Sequence, residues 1–365
     1  MRRFLNLAAL TLLLTGCCAT IHIYPDPGES SGIVTLMLQP SVDRDPPLYH
    51  KEIVYDSLWS RTVTVLDETP AAAYTPADGY ALRIIMDVYE GTVEEASQST
   101  NPQSDFVERY TLIVDGDASA PQGVVETDLP DGEYYVLAWA DYVPENAPLN
   151  WHYYADTLRS VWTDLETYPS DMHLRSSAAG QQEFLIDYTL SEEGYPSLQS
   201  NPDSLLKSGV IPVYLERPSG RYRIISTDSQ DFIDKGGALE NMTVEVTYKQ
   251  FVSDGYNVAS QTPNSFISSY TFSRLSMDDA PEDEFQLVGD YIFTSYSGET
   301  IVLADFCFYD IDGVEINQVE DVEIPLRRNH ETVIRGAFLT NELEGGGSVS
   351  IDENFEDEYV ITVNN

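Results

Sequence analysis

The chain has 365 residues, of which 61 are acidic and 19 basic, so its formal net charge is −42. This excess argues against binding to nucleic acid or to anionic lipid, since both require a basic surface. A hydrophobic content of 42% with 24 tyrosines predicts a folded chain, and the length favours two domains over one.

The N-terminus carries an export signal. Arg2 and Arg3 precede an uncharged apolar run over residues 4–14 that is too short to span a membrane. The run ends in Leu-Thr-Gly-Cys at 14–17, which resembles the bacterial lipobox. That resemblance implies a signal peptide over residues 1–16 and acylation, such as by palmitate, of Cys17. A plain secreted protein is the alternative, as is acylation of the neighbouring cysteine.

Residues 17–31 contain prolines, glycine and serines, and they are predicted to form a lipidated tether. Alternating apolar residues then predict strands over 33–38, 82–88 and 110–114. The turn sequence Pro-Asp-Gly precedes an aromatic and β-branched run over 134–143, which predicts a further strand with Trp139 in the core.

The middle of the chain has a different pattern. Apolar residues at 155, 158, 161, 162 and 165 have helical spacing and predict one short surface helix. The serine- and proline-rich stretch over 166–207 predicts long irregular connections.

Strand patterns return after residue 209. Residues 242–249 alternate between apolar and polar side chains, which is typical of a half-buried strand. Asp310–Gly313 lies between two strand-like runs and predicts a hairpin in preference to a calcium loop. Cys307 is predicted to be a small buried strand residue.

Many short strands with few helices predict an all-β fold of two β-sandwiches with one or a few short helices. We place the boundary near residue 216, where a strand ends and Arg217-Pro218 follows. The predicted domains are therefore 32–215 and 216–365.

Beyond the lipobox, three segments resemble the fimbrillin-like lipoproteins of Bacteroides and relatives, which are associated with the type V pilus. They are GEYYVLAWADY at 132–142, VYLERP at 213–218 with RYRIISTD at 221–228, and IPLRRNHETVIRG at 324–336. The resemblance implies two tandem transthyretin-like (Greek-key) sandwiches. It also implies a cell-surface lipoprotein of the outer membrane that acts in adhesion or in assembly of the fimbrium (pilus).

In that family a strand of one subunit fills a groove in the next, and stalk subunits are first cut after an arginine near the first strand. Arg44 and Arg61 are the arginines near that position. Arg44 has acidic and proline neighbours that suit a protease poorly. An uncut chain would be an anchor, a tip or an accessory subunit, and we favour those roles. The partners implied are outer-membrane lipid, through Cys17, and pilin-like subunits or ligands on host or bacterial surfaces.

Exposed aromatic residues are the main candidates for contact with a partner. Trp151, Tyr153 and Tyr154 form the densest cluster, and they leave open an alternative function, a carbohydrate-binding surface lipoprotein of a glycan uptake system. Three Asp-Ser/Thr-apolar tripeptides resemble the acceptor of Bacteroides-type O-glycosylation and place candidate sites at Ser57, Thr157 and Ser204.

The sequence contains no motif of an active site. It has no nucleophile elbow, no phosphate-binding loop and no histidine pair at metal-ligand spacing. We therefore expect a non-enzymatic protein without a metal ion or cofactor.

Overall fold

The structure is a computed structural model, and it describes residues 34–56, 59–71, 78–94, 105–115, 123–147, 149–169, 171–186, 210–276 and 285–340. Over these ranges the chain is almost entirely β-sheet, with only short helices such as α1 (Ser229–Asp234) and a 3-10 helix (Met172–Arg175). The predicted all-β class is confirmed. No helix among the described residues is long and apolar enough to cross a membrane.

The strands form five sheets. Their bounds are β1 Val34–Val42, β2 Leu48–Tyr55, β3 Arg61–Val65, β4 Tyr80–Glu90, β5 Phe106–Asp115, β6 Val125–Leu129, β7 Gly132–Pro144, β8 Tyr153–Tyr154, β9 Val161–Thr163, β10 Ala178–Ile186, β11 Val210–Leu215, β12 Ser219–Ser226, β13 Thr243–Tyr248, β14 Val252–Asn257, β15 Thr262–Ile267, β16 Tyr270–Leu275, β17 Phe285–Phe293, β18 Thr300–Tyr309, β19 Glu315–Leu326 and β20 His330–Gly336.

The first sandwich packs sheet 1 (β11-β1-β6) against sheet 2 (β10-β7-β4-β5). Leu36 and Leu38 of β1 lie in one core with Ile84 of β4, Val136 of β7 and Val213 of β11. Alternate residues of each strand face this core because successive side chains point to opposite faces of a sheet.

The second sandwich packs sheet 3 (β17-β12-β20-β2-β3) against sheet 4 (β16-β13-β18-β19). The predicted alternation of β13 is confirmed, since Val244, Val246 and Tyr248 are buried in its core. The predicted hairpin is confirmed as well, because β18 pairs antiparallel with β19. In its turn the Asp310 carboxylate accepts hydrogen bonds from the backbone N–H groups of Asp312 and Val314, at 2.9 and 2.8 Å.

Sheet 5 (β15-β14-β9-β8) covers the second face of sheet 2. Trp139 of β7 is fully buried there, as predicted, against Tyr153 and Phe293. Strand β7 is thus buried on both faces, which explains its nearly continuous apolar and aromatic sequence.

The surface helix predicted over residues 155–165 is wrong. The structure has turns over 157–160 and then strand β9, in which Val161 points inward and Trp162 outward. Val161 joins Leu158 in the core beneath sheet 5. The apolar spacing is helix-like because Leu158, buried in the turn, and Val161, buried in β9, lie three positions apart.

Strands on either side of residue 216 share sheets. β2 inserts into sheet 3 between β20 and β3, and β9 pairs with β14 in sheet 5. Each sandwich has its own core, but neither uses one continuous stretch of chain. The division into 32–215 and 216–365 stays a prediction.

Candidate partner-binding site

The edge of sheet 2 is a long strand with an apolar surface. β5 has 10 residues and pairs with β4, with one register shift at Val107, and within the described ranges no strand pairs with its other side. Phe106, Val107 and Ile113 are exposed, at 42%, 38% and 43% of their surface. An unpaired edge offers a row of backbone donors and acceptors to another strand. We call β5 and these three side chains the β5 edge.

A second exposed apolar feature is an aromatic stack on sheet 5. Tyr154 of β8 lies directly opposite Trp162 of β9, and the two rings stack with centroids 4.1 Å apart and planes 15° apart. Trp162 remains 47% exposed. The stack thus presents a flat aromatic surface to solvent on two short paired strands.

Carboxylates surround this stack. The Tyr154 hydroxyl donates to Asp164 Oδ2 at 3.2 Å, and the Asp164 charge, with this hydrogen bond, raises the pKa of Tyr154. The charges of Glu166 and Asp156 also raise the Tyr154 pKa, to a smaller extent. Aromatic faces bind the apolar faces of sugars or cationic groups, and carboxylates accept hydrogen bonds from hydroxyl or amine donors. The arrangement suits either ligand.

Hydrogen bonds and ion pairs connect the β5 edge to the aromatic stack. Arg109 of β5 donates to the carbonyl of Ala155, the residue after Tyr154, at 3.0 Å. The same guanidinium pairs with Asp87 of β4 at 2.6 Å, and this hydrogen bond raises the pKa of Arg109. Asp105, just before β5, pairs with Arg159 at 2.7 Å. These buried and half-buried contacts fix the β8–β9 hairpin to the edge strand.

The predicted contact residues occupy different environments. Tyr154 forms half of the exposed stack, and Trp151 is half-buried. Tyr153 is only 1% exposed, its hydroxyl donates to the Arg175 carbonyl at 2.6 Å, and burial raises its pKa to about 12. Tyr153 therefore packs in the core and offers no surface to a partner. Trp162 was not identified as a contact residue because its segment was assigned to a helix.

Of the predicted modification sites, only Thr157 lies within the described residues. Cys17, Ser57 and Ser204 lie outside the described residues. Thr157 is half-buried, and its hydroxyl oxygen is shielded from solvent. Glycosylation of Thr157 stays a prediction, and it would require this oxygen to become accessible.

The two candidate processing arginines differ in exposure. Arg44 lies half-buried in the loop between β1 and β2, whereas Arg61 is exposed at the start of edge strand β3 and donates to Glu323 Oε2 at 2.8 Å. Cleavage at either position stays a prediction.

The described residues include no group of three or more histidine, cysteine, aspartate or glutamate side chains arranged to hold a metal ion. Cys307 is buried in β18 as predicted, and burial raises its thiol pKa. A thiol in this environment is a poor nucleophile.

Comparison with solved structures finds Bacteroides surface proteins. A proposed adhesin from Bacteroides thetaiotaomicron is 10% identical, with 81% of this chain and 93% of that chain covered and a TM-score of 0.38. Proposed polysaccharide-binding proteins of the same organism match at 9% identity over 78% and 80% of the two chains, with a TM-score of 0.37.

The fimbrial anchor protein Mfa2 from Porphyromonas gingivalis matches at 10% identity over 74% of this chain and 82% of its own, with a TM-score of 0.34. These neighbours are the kinds of protein that the sequence resembles.

No curated protein sequence matches the chain. A family model, described as a family of unknown function (DUF6562), matches residues 57–364. The match spans both sandwiches and most of the sequence. The chain belongs to this family.

Proposed function

We propose that this chain is a non-enzymatic, lipid-anchored surface protein of the outer membrane that acts in adhesion or type V pilus assembly. It serves as an anchor, tip or accessory subunit and engages its partner by β-strand addition. The observation that carries the proposal is the β5 edge, a 10-residue strand with one unpaired side among the described residues.

Protein sheets normally protect their edges with prolines, charges, bulges or short strands. β5 is long and contains no proline. Its register shift, at Val107, lies near one end, and residues 110–114 pair regularly and carry no charge. Its exposed Phe106, Val107 and Ile113 add apolar contact area beside the free backbone groups. A partner strand would gain main-chain hydrogen bonds from this edge and register from the side chains.

The position of β1 supports an uncut chain. β1 lies between β11 and β6, and its Leu36 and Leu38 are fully buried. A cut after Arg44 followed by release of β1 would expose that core. A chain that keeps β1 retains a complete first sandwich behind the tether, which suits an anchor, tip or accessory subunit.

Substitution of the β5 edge tests this function. We expect Val107→Lys combined with Ile113→Lys to abolish complexes with pilin-like lipoproteins of the same organism, because two charges would be desolvated in the added strand. Analytical ultracentrifugation of the purified mature protein with each candidate subunit measures the complex. Ile301→Lys with Ile311→Lys adds the same charge at exposed positions on sheet 4 and its turn and serves as the control.

Monomers in every mixture, with and without proteolysis, would reject the assembly role. Complexes that persist in the β5 variant but are lost in the control would place the contact elsewhere. Mass spectrometry of the cellular protein tests the anchor, since residues 1–16 still attached would exclude an acylated Cys17.

The aromatic stack favours a second function, carbohydrate binding in a glycan uptake system. Trp162→Ala should then remove binding on a glycan array, because stacking on this ring supplies the apolar contact. Phe251→Ala is the control, since Phe251 is also exposed but lies outside the stack. Glycan binding that is equal in the two variants would contradict this alternative.

A further inference from the structure

A polar cleft lies where the two sandwiches meet. It has a volume of about 70 Å³, and its walls come from the β1–β2 loop, β7, the segment after the 3-10 helix, β12 and β17. This volume holds a few water molecules or one small polar group. Arg44, Arg217 and Arg221 all line it. Three arginines in one small cleft are notable in a chain with 19 basic and 61 acidic residues.

The Arg217 guanidinium is the central group. Arg217 is only 6% exposed. It donates to Ser176 Oγ at 3.4 Å, to the Asp45 carbonyl at 3.3 Å and to Asn329 Oδ1. All three acceptors are neutral oxygens, and no carboxylate of the described residues forms an ion pair with Arg217. Buried charges are ordinarily paired with an opposite charge because desolvation is costly.

The other charged groups near the cleft do not supply Arg217 with a counter-charge. Arg221 forms an ion pair with Glu331, but the same carboxylate also pairs with Arg223, so it has no further charge to offer the cleft. Asp43 is the one carboxylate among the lining residues, and no ion pair joins it to Arg217. Burial lowers the pKa of Arg217, and the nearby Arg221 lowers it further, whereas Tyr291 and Asp43 raise it. Because the pKa of Arg217 remains lowered overall, Asp43 and Tyr291 offset the burial of the guanidinium only in part.

We propose that this cleft binds a small oxyanion, a carboxylate or phosphate group, on the Arg217 guanidinium. The planar guanidinium matches both groups in geometry and binds them through charge-assisted hydrogen bonds. Ser176 and Ser177 line the cleft and bring hydroxyl groups to its wall. The ligand replaces the missing counter-charge and joins the β1–β2 loop to the second sandwich, since Arg217 also holds the Asp45 carbonyl.

Isothermal titration calorimetry of the purified chain with phosphate and, separately, with acetate tests the site at constant ionic strength. We expect saturable binding of at least one anion. Arg217→Gln should weaken it about tenfold or more, the effect of losing a charge-assisted hydrogen bond. Arg61→Gln removes an arginine at the surface and should leave the affinity unchanged. Binding of acetate alone identifies a carboxylate ligand, and binding of phosphate alone identifies a phosphate.

Saturable binding of neither anion by the wild-type chain would overturn the proposal, as would equal affinity in Arg217→Gln. If Arg217→Gln does not fold, Arg44→Gln provides the second variant, because Arg44 lines the same cleft and its loss should also weaken binding. An affinity unaffected by Arg44→Gln would then count against this cleft. None of these results depends on strand addition at the β5 edge.

Discussion

At the scale of single residues, Asp290 connects several elements of the second sandwich. Its carboxylate forms an ion pair with Arg175 of the 3-10 helix and accepts hydrogen bonds at 2.7 Å from the hydroxyls of Tyr168 and Tyr248. Burial alone would raise the pKa of Asp290, but Arg175, Arg274 and the two hydroxyls lower it overall. The group therefore stays ionised in the core.

Asp290→Asn should lower the free energy of unfolding by about 3 kcal/mol or more, because it leaves the Arg175 guanidinium buried without its counter-charge. Asp312→Asn, in the exposed turn between β18 and β19, is the control and should change stability by less than about 0.5 kcal/mol. Denaturant unfolding at pH 7 measures both. A loss for Asp290→Asn no larger than the control's would show that the pair is not needed for stability.

His152 makes stability depend on pH. Burial, together with Arg175 and Arg274, lowers its pKa to about 3, whereas an unfolded chain has a histidine pKa of about 6.5. The unfolded state thus binds the proton more readily. The contribution of neutral His152 is complete above about pH 6.5 and is lost progressively as the pH falls towards 3.

Between pH 7 and pH 5 the wild type should therefore lose about 2 kcal/mol more unfolding free energy than His152→Gln. Urea titrations of both proteins at the two pH values measure this difference. Equal losses would show that His152 is protonated in the folded state at pH 5. Comparing the variant with the wild type cancels contributions from other titrating groups, including His50.

At the scale of elements, the first sandwich closes at one corner between β10 and β11. The backbone of Ala179 exchanges hydrogen bonds with that of Glu216, at 2.8 and 3.0 Å, which joins sheet 2 to the end of sheet 1. Gly180 makes this approach possible, because a Cβ atom there would collide with the backbone carbonyl of Tyr214.

Gly180→Ala should cost about 1 to 3 kcal/mol of stability, since backbone atoms cannot move aside as a side chain can. Gly132→Ala is the matched control, because its Cβ would meet only the ring of Tyr134, at 3.2 Å. Thermal unfolding of the two variants measures the difference. A similar melting temperature for both would mean that the corner relaxes without cost.

The sequence patterns predicted the elements in which apolar and polar residues alternate along a single strand, and the turns with characteristic residues. The β13 strand and the turn at Asp310 followed directly from local periodicity and turn chemistry. The region of Tyr154 and Trp162 did not, because its strands have only two and three residues, too few for alternation to be visible. Trp162 was consequently missed, although the neighbouring Trp151 and Tyr154 had been identified as an aromatic cluster.

At the scale of the whole molecule, the two sandwiches exchange strands. β2 pairs with β20 from Leu48↔His330 to Val54↔Arg335, and Ile53 and Tyr55 pack in the second core. β14 of the second half pairs with β9 of the first. A boundary placed near residue 216, where one strand ends and Arg217-Pro218 follows, does not reveal such pairing. The pairing joins residues far apart in the sequence and leaves no local pattern.

We therefore expect the full chain to unfold in one calorimetric transition. A fragment of residues 216–365 should fail to fold alone, since it lacks β2 and β3 and would expose the core side chains that Ile53 and Tyr55 cover. Residues 32–365 provide the control and should unfold as the full chain does. Two separate transitions, or a cooperatively folded fragment, would contradict this expectation.

The double pairing of β1 determines how the molecule resists a mechanical pull from its N-terminal side. Residues Met37–Val42 pair with parallel β11, and Val34–Leu38 pair with antiparallel β6. Tension applied ahead of Val34 and along the strand loads both ladders in shear, so many hydrogen bonds must break together. A pull from this side would therefore be resisted at β1 by two ladders at once.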